Sequence, residues 1–185
     1  MATKKPHHIG TLSPEMALLG LLYREAGHGY DLHRKIVADL GHVWHLSQSQ
    51  AYSILKRLET RGDISVQEIP QEKLPPRQLL YITPQGQQTF LEWLDTPSGS
   101  STRAIRMEFI TRLYFMNMYF PEKIRPTLDQ QRAEIERNIQ RLEETLTDLP
   151  KDQVYNRMSL QMRLKQLHLV LEWLDESQKN FQGVR

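Results

Sequence analysis

The sequence predicts a mainly α-helical protein, in which an N-terminal winged helix-turn-helix (three helices plus a β-hairpin wing) precedes a C-terminal all-helical dimerisation domain. The first observation is the order helix, helix, helix, strand, loop, strand, helix within residues 1–96, which packs naturally as a helix-turn-helix with a wing. The second is that residues 103–185 lack strand patterns and repeat apolar residues at helical spacing. The third is the Pro-, Gly- and Ser-rich stretch Thr96–Thr102, which predicts a linker.

The first two helices are predicted from apolar runs and from the residues that bound them. Ser13 and Pro14 suit the N-cap and the first turn of a helix whose apolar residues occupy positions 16–22. Two glycines within Ala26–Gly29 favour a turn, because glycine adopts conformations that other residues avoid. A second helix is expected over Tyr30–Leu40. Its apolar anchors are Tyr30, Leu32, Ile36, Val37 and Leu40.

The third helix has the clearest predicted start. Ser47 and Gln50 match a capping box, in which the N-cap side chain and the N3 side chain each bond the other residue's backbone amide. The helix is expected to run to Arg61 and to stop at Gly62, because glycine is favoured just after a helix C-terminus.

A β-hairpin and a fourth helix are expected next. Residues 64–69 come close to apolar/polar alternation, and residues 79–82 are strongly apolar. The segment 70–77 between them contains prolines and has the length of a hairpin loop. Thr83 as N-cap and Pro84 at the first helical position then predict the fourth helix.

One face of the third helix is predicted to contact DNA. At 100° per residue, its apolar residues form a stripe that faces the core. This stripe consists of Ala51, Ile54, Leu55 and Leu58. The opposite face carries small, hydroxylated and basic side chains, which can approach phosphates closely and reach base edges, although an ordinary solvated face is the alternative. Base readers are expected near the helix N-terminus, where capping occupies Gln50 and Gln48 is an alternative reader. The candidate DNA-binding residues of this helix are Ser47, Gln48, Ser49, Gln50, Tyr52, Ser53, Lys56 and Arg57.

Lys73 and Arg77 add a second candidate contact, at the tip of the hairpin. A wing beside a recognition helix contacts phosphate or the minor groove, while the alternative is an ordinary exposed loop. The bulk charge does not decide between a DNA-binding wing and an ordinary loop. The whole chain has a net charge of +2, but its residues up to Pro97 include ten basic and ten acidic side chains and are therefore neutral overall. The prediction of DNA binding therefore depends on where the basic residues lie.

The second half predicts long helices with narrow apolar seams. In the first of these helices apolar residues fall seven apart with others between them, which is the spacing of a coiled coil. Such seams need a partner: the two helices could form an αα-hairpin or pack on a second copy of the chain. The very apolar helix expected over Ile105–Phe120 favours a homodimer, and a self-contained three-helix bundle is the alternative. The predicted dimerisation residues are Phe109, Leu113, Leu128, Ile135, Ile139, Leu142, Leu146, Leu164, Leu167, Leu171 and Leu174.

Composition excludes several classes of function. The absence of cysteine excludes a disulfide framework, cysteine-based zinc sites and thiol catalysis. Residues 1–10 lack the apolar core of a secretion signal, and no run approaches the roughly 18 apolar residues of a membrane span. We therefore expect a cytoplasmic protein that has no membrane contact and no cofactor.

Catalytic and ligand-binding motifs are weak in this sequence. No nucleophile elbow, zinc-protease motif or Gly-rich phosphate loop is present, so an enzyme is the weakest hypothesis. His42 and His45 lack a third metal ligand at a suitable spacing, and no metal site is predicted. Trp173 is a candidate contact for a flat ligand at a dimer interface, with ordinary core packing as the alternative. A winged helix that binds a protein partner is the second hypothesis after DNA binding.

Five short motifs in order resemble the PadR family of bacterial transcriptional regulators. They begin with residues 18–22 (LLGLL) and residues 28–32 (HGYDL). Residues 52–62 match the recognition-helix pattern Y-x-x-L-K-R-L-E-x-x-G, and residues 76–86 are similar to the family's wing. Residues 108–115 and the two helices after them are similar to the subfamily with a long C-terminal dimerisation domain. The resemblance implies a homodimeric regulator, usually a repressor, which binds a palindromic operator in double-stranded DNA and which a small aromatic effector can release.

Overall fold

The computed structural model describes residues 12–70 and 76–182, and the chain divides into two compact units, Met1–Trp93 and Leu94–Arg185. The chain is mainly helical, and its described residues include one three-stranded antiparallel sheet. The predicted fold class, a winged helix-turn-helix followed by a set of helices, is confirmed. No helix within the two described ranges is both long enough and apolar enough to cross a membrane.

The first unit holds a helical core beside a small sheet. Its helices are α1 (Glu15–Leu21), α2 (Gly29–Leu40), α3 (Gln48–Thr60) and α4 (Pro84–Asp95). Its strands are β1 (Gly27–His28), β2 (Ile64–Ile69) and β3 (Arg77–Ile82). The N-cap residue of α1 is Pro14, and no side chain caps the helix, so the predicted cap at Ser13 is wrong. The predicted stop of α3 is confirmed, because Gly62 follows the helix with φ +80° and lets the chain turn toward β2.

The sheet has the order β1-β3-β2, with all pairs antiparallel. Strands β2 and β3 form the predicted hairpin, from the pair Ile64 and Ile82 at its base to Ile69 and Arg77 near the loop. The predicted turn at Ala26–Gly29 is wrong, because Gly27 and His28 pair with β3 as a short edge strand. Such a strand has no sequence pattern of its own, since two residues cannot show alternation.

The core of the first unit is built from one stripe of each helix. Leu18 and Leu19 of α1, Ile36 of α2 and Leu58 of α3 are almost completely buried. The predicted anchors Tyr30 and Val37 are wrong, because both side chains are exposed. The buried stripe of α2 consists of residues spaced four apart, Leu32, Ile36 and Leu40, and Tyr30 and Val37 fall outside it.

The second unit is a group of helices. It contains α5 (Thr102–Ala104), a π turn (Ile105–Phe109), α6 (Ile110–Tyr119), a 3-10 turn (Pro121–Lys123), α7 (Ile124–Asp148) and α8 (Val154–Gln182). The two long helices α7 and α8 pack against each other as an αα-hairpin, which is one of the two arrangements that their seams allow.

The seam residues supply the core of this unit. Nine of the eleven predicted dimerisation residues are buried within one protomer, and Leu146 and Leu171 are half-buried. The nine are Phe109, Leu113, Leu128, Ile135, Ile139, Leu142, Leu164, Leu167 and Leu174. Their burial needs no second copy, so their part in a dimer interface stays a prediction.

The predicted linker is partly packed into the second unit. Ser98 is buried, and its backbone N–H donates to Gln131 Oε1 at 3.1 Å while its carbonyl accepts from Gln131 Nε2 at 3.2 Å. The buried Arg112 guanidinium donates to Ser98 Oγ and to Glu108 Oε1, both at 2.5 Å. Burial lowers the pKa of Arg112 to about 10, although the Glu108 charge acts in the opposite direction, so Arg112 is charged at neutral pH.

Candidate nucleic-acid interface

The start of α3 is fixed by the predicted capping box. Ser47 N–H donates to Gln50 Oε1 at 2.9 Å, and Gln50 N–H donates to Ser47 Oγ at 3.3 Å. The Ser47 hydroxyl also lies 3.0 Å from Gln50 Oε1 and 3.1 Å from the Ser49 hydroxyl. The cap therefore occupies Ser47 and Gln50, and Gln48 and Ser49 are the exposed polar residues of the first turn.

The predicted two-sided character of α3 is present in the structure. The stripe of Ala51, Ile54, Leu55 and Leu58 is buried. The candidate DNA-binding residues of α3 are all exposed. A helix that is buried on one side and polar on the other can present its exposed side to a DNA groove without losing its packing.

The wing brings a second element to the same side of the unit. Arg77 is exposed at the first position of β3, next to the hairpin loop. The other predicted wing contact, Lys73, lies outside the described residues. Gln78, the residue after Arg77, is also exposed, and its carbonyl accepts a hydrogen bond of 2.8 Å from His28 Nδ1.

A groove of about 690 Å³ separates the exposed side of α3 from the wing. Its apolar part is formed by Leu55, Val66 and Leu80, one residue each from α3, β2 and β3. Its polar part brings together three predicted DNA-binding residues from separate elements. These are Tyr52 and Lys56 of α3 and Arg77 of β3.

Sequence reasoning missed other residues of this groove. His28 of β1 lines it, together with Gly29, Tyr30 and Asp31 at the beginning of α2. The signal that could have found them is the motif at residues 28–32. The prediction that Tyr30 is an apolar anchor of α2 overlooks this surface, because the exposed Tyr30 side chain lines the groove.

Lys56 is the most available cation of the exposed face of α3 that the structure describes. Its side chain is 75% exposed, and its ammonium lies 2.8 Å from Glu59 Oε2 one turn later. An exposed pair of this kind contributes only about 0.2–1 kcal/mol to stability. Lys56 can therefore leave Glu59 for a phosphate at small cost.

Arg57 has a different environment from Lys56. Its Nη2 and Nε donate to Glu15 Oε1 of α1 at 2.9 and 3.2 Å. Arg61 donates to the other Glu15 oxygen at 2.8 Å and to Asp63 at 2.9 Å. Burial lowers the pKa of Arg61, but its contacts with Glu15 and then Asp63 outweigh burial and raise the pKa above its ordinary value. Arg57 therefore joins α3 to α1, a role that its position on the helix does not indicate.

Trp173, the candidate ligand contact, lies in the second unit. Its ring packs edge-on against Phe109, with 6.4 Å between the ring centroids, and Phe109 is completely buried. Trp173 thus contacts the core of the second unit, which fits the alternative of core packing, and its contact with a flat ligand stays a prediction.

Two family models match this chain. One, described as the transcriptional regulator PadR-like family, matches residues 18–92, which contain α2, α3 and the wing. The other, described as virulence activator alpha C-term, matches residues 105–182, which contain the long helices of the second unit.

Individual proteins are also similar to this chain. The chain is 29% identical over 101 residues to the negative transcriptional regulator PadR of Bacillus subtilis (strain 168), and the match spans 55% of each protein, about half of that relative's length. A crystal structure of Bacillus subtilis PadR in complex with operator DNA is similar at 22% identity and a TM-score of 0.43, covering 90% of this chain and 98% of that chain. The virulence activator AphA of Vibrio cholerae is similar at 22% identity and a TM-score of 0.39, covering 94% of this chain and all of that chain (100%).

Proposed function

Since the chain belongs to the PadR-like family of transcriptional regulators, we propose that it is a sequence-specific regulator that binds a palindromic operator in double-stranded DNA as a homodimer. The observation that carries the proposal is the groove between α3 and the wing, where Tyr52, Lys56 and Arg77 meet on one exposed side. Groups that can reach bases and groups that neutralise phosphate thus lie on the same surface.

The proposed binding mode follows from the position of the exposed residues on α3. The N-terminal half of this helix enters the major groove, where Gln48, Ser49, Tyr52 and Ser53 contact base edges or nearby phosphates. Lys56 and Arg77 neutralise phosphates on the flanking strand. The two winged helix-turn-helix units of a symmetric dimer bind half-sites about 34 Å apart, or a multiple of that distance.

The experiment that tests DNA binding is a salt titration. Affinity is measured for the protein's own promoter region and for random DNA of equal length, with the variants Lys56→Ala and Arg77→Ala. Lys151→Ala, at an exposed lysine in the turn after α7, is the matched control. We expect tight, salt-sensitive binding to the promoter alone and weaker binding by the first two variants only. Equal or no binding to both DNAs would favour the alternative, a winged helix that contacts a protein partner.

A stripe on α8 supports the homodimer part of the proposal. Five large apolar side chains between positions 154 and 169 of this helix are exposed, and Tyr155 is 86% exposed. The stripe consists of Val154, Tyr155, Met158, Met162 and Leu169. At 100° per residue it lies opposite the seam that packs on α7, so α8 is apolar on two sides. Exposed apolar side chains aligned on one side of a helix are typical of an interaction site, and we assign this stripe to a second copy of the chain.

The dimer is tested by adding charge to this stripe. The variant Met158→Glu/Met162→Glu should elute as a monomer in size-exclusion chromatography with light scattering, because a second copy would bury the two carboxylates. Lys179→Glu, at an exposed position near the other end of α8, should remain a dimer. A wild-type protein that is monomeric at micromolar concentration would contradict the proposal.

Repression is the regulatory direction that we propose, because the relative from Bacillus subtilis is named a negative transcriptional regulator. A repressor acts by occupying the promoter, so deletion of the gene should raise transcription from the bound promoter. We also propose a cytoplasmic location, since promoter DNA is found there in bacteria. Release by a small aromatic effector stays a prediction of the family resemblance.

A further inference from the structure

The backbone of Gly29 lies directly against the ring of Tyr52. A Cβ atom built on Gly29 would be 2.9 Å from Tyr52 Cε1, 3.3 Å from Tyr52 Cζ and 3.2 Å from Leu55 Cδ1. Separations below 3.0 Å are not tolerated between such atoms, so a side chain at position 29 forces a neighbour to move. Leu55 is held in the core, whereas the Tyr52 ring is exposed, so the ring is the group that moves.

Glycine is not required at position 29 by the backbone. The only glycine of the described residues with positive φ is Gly62, so alanine can adopt the conformation of Gly29 without strain. As the first residue of α2, position 29 also accepts alanine as a helix former. What excludes a larger residue at this position is therefore the contact with Tyr52 and Leu55, not the path of the chain.

The backbone at Gly29 is itself held by the wing. The two preceding residues, Gly27 and His28, pair with Leu80 and Leu79 of β3, and His28 Nδ1 donates to the Gln78 carbonyl at 2.8 Å. The surface on which the Tyr52 ring rests is thus fixed to the strand that carries Arg77. The ring has a defined position between the recognition helix and the wing.

We infer that Gly29 is a positioning residue for Tyr52, and that Tyr52 held in this way determines DNA sequence preference. The inference rests on the proposed function, because it assumes that the groove between α3 and the wing binds operator DNA. A tyrosine without such support can rotate about its side-chain torsions and contact several bases. The Gly29 backbone removes that freedom on one side, so the phenol hydroxyl and ring edge approach one position of the DNA.

The test is a double-mutant cycle measured by fluorescence anisotropy with the promoter DNA and with random DNA. The variants are Gly29→Ala, Tyr52→Ala and the double variant. The matched control is Gly99→Ala in the second unit, where an added Cβ would meet Ala104 Cβ at an ordinary 3.6 Å. We expect Gly29→Ala to weaken promoter binding about tenfold, the loss of one good base contact, while binding to random DNA changes little. The thermal unfolding midpoint of Gly29→Ala should stay near that of the wild type.

The cycle separates positioning from a structural role. Once Tyr52 is alanine, the added methyl group has no ring to displace, so the double variant should bind the promoter as Tyr52→Ala does. A further tenfold loss in the double variant, or unchanged promoter preference in Gly29→Ala, would overturn the inference. Failure of the proposed function is seen in a different measurement, in which the wild-type protein would have equal affinity for promoter and random DNA.

Discussion

Replacing Lys56 and Arg57 separately by alanine tests whether neighbouring cations of α3 have different roles. Both residues are exposed, and both are among the predicted DNA-binding residues of this helix. The structure gives Lys56 a weak partner on its own helix and gives Arg57 two hydrogen bonds to Glu15 of α1. We expect Lys56→Ala to impair DNA binding and Arg57→Ala to impair stability.

The magnitudes follow from the exposure of the two pairs. The Arg57 and Glu15 side chains are 54% and 16% exposed, so water weakens their interaction and the loss should be about 1 kcal/mol. In a domain of this size that loss lowers the melting temperature by about 4–8 °C. The Lys56–Glu59 pair is more exposed, and its loss should cost less than about 0.5 kcal/mol.

The DNA measurement uses the dependence of affinity on salt. Each phosphate contact contributes about 0.9 to the slope of the logarithm of the binding constant against the logarithm of the salt concentration. Lys56→Ala should therefore reduce this slope by about 0.9 for each protomer bound to DNA. Arg57→Ala should leave the slope unchanged at a temperature where the variant is folded. The reasoning is refuted if Arg57→Ala reduces the slope as much as Lys56→Ala does, or if it leaves the melting temperature unaltered.

Four further variants test the fold. Ser47→Ala removes the α3 cap and should lower the free energy of unfolding by about 1 kcal/mol in urea denaturation; no loss would show that the capping box is not needed. Gly62→Ala forces a side chain into a residue with φ +80° and should cost about 1–2 kcal/mol, measured by thermal unfolding, so an unchanged midpoint would contradict this account. Glu108→Ala should lower the free energy of unfolding of the second unit by about 2–3 kcal/mol, because Arg112 stays charged in a buried site without its carboxylate partner. Arg112→Met removes the buried charge together with its desolvation cost, so it should lower the free energy of unfolding by less than about 1 kcal/mol. Equal losses for these last two variants would contradict the ion-pair argument.

The elements that were predicted correctly carry local signals. The start of α3 could be predicted because Ser47 and Gln50 are three residues apart and each side chain bonds the other residue's backbone amide. Its end could be predicted because Gly62 is the residue type that a left-handed conformation requires. The buried stripe of α3 follows from the spacing of its apolar residues, whatever packs against it.

The elements that were missed depend on partners distant in sequence. Strand β1 exists only because β3, some fifty residues later, lies beside it and supplies its hydrogen bonds. The groove residues His28 and Tyr30 were missed for the same reason, since β1 brings the beginning of α2 next to the wing. The exposure of Tyr30 could not be predicted from residue type, because an aromatic ring is stable in a core and on a binding surface alike.

By itself, the sequence determined the winged helix-turn-helix, the exposed polar side of α3 and the family resemblance, because caps, periodicity and short motifs act over a few residues. The tertiary structure decided which of these exposed residues remain available to a partner. Lys56 and Arg57 are adjacent and alike in charge, yet Arg57 lies within hydrogen-bond distance of Glu15, which is 42 positions earlier in the chain. Ion pairs form over a few ångströms of space whatever the separation in sequence, so only the folded arrangement of α1 against α3 distinguishes a residue that supports the fold from one that is free to bind phosphate.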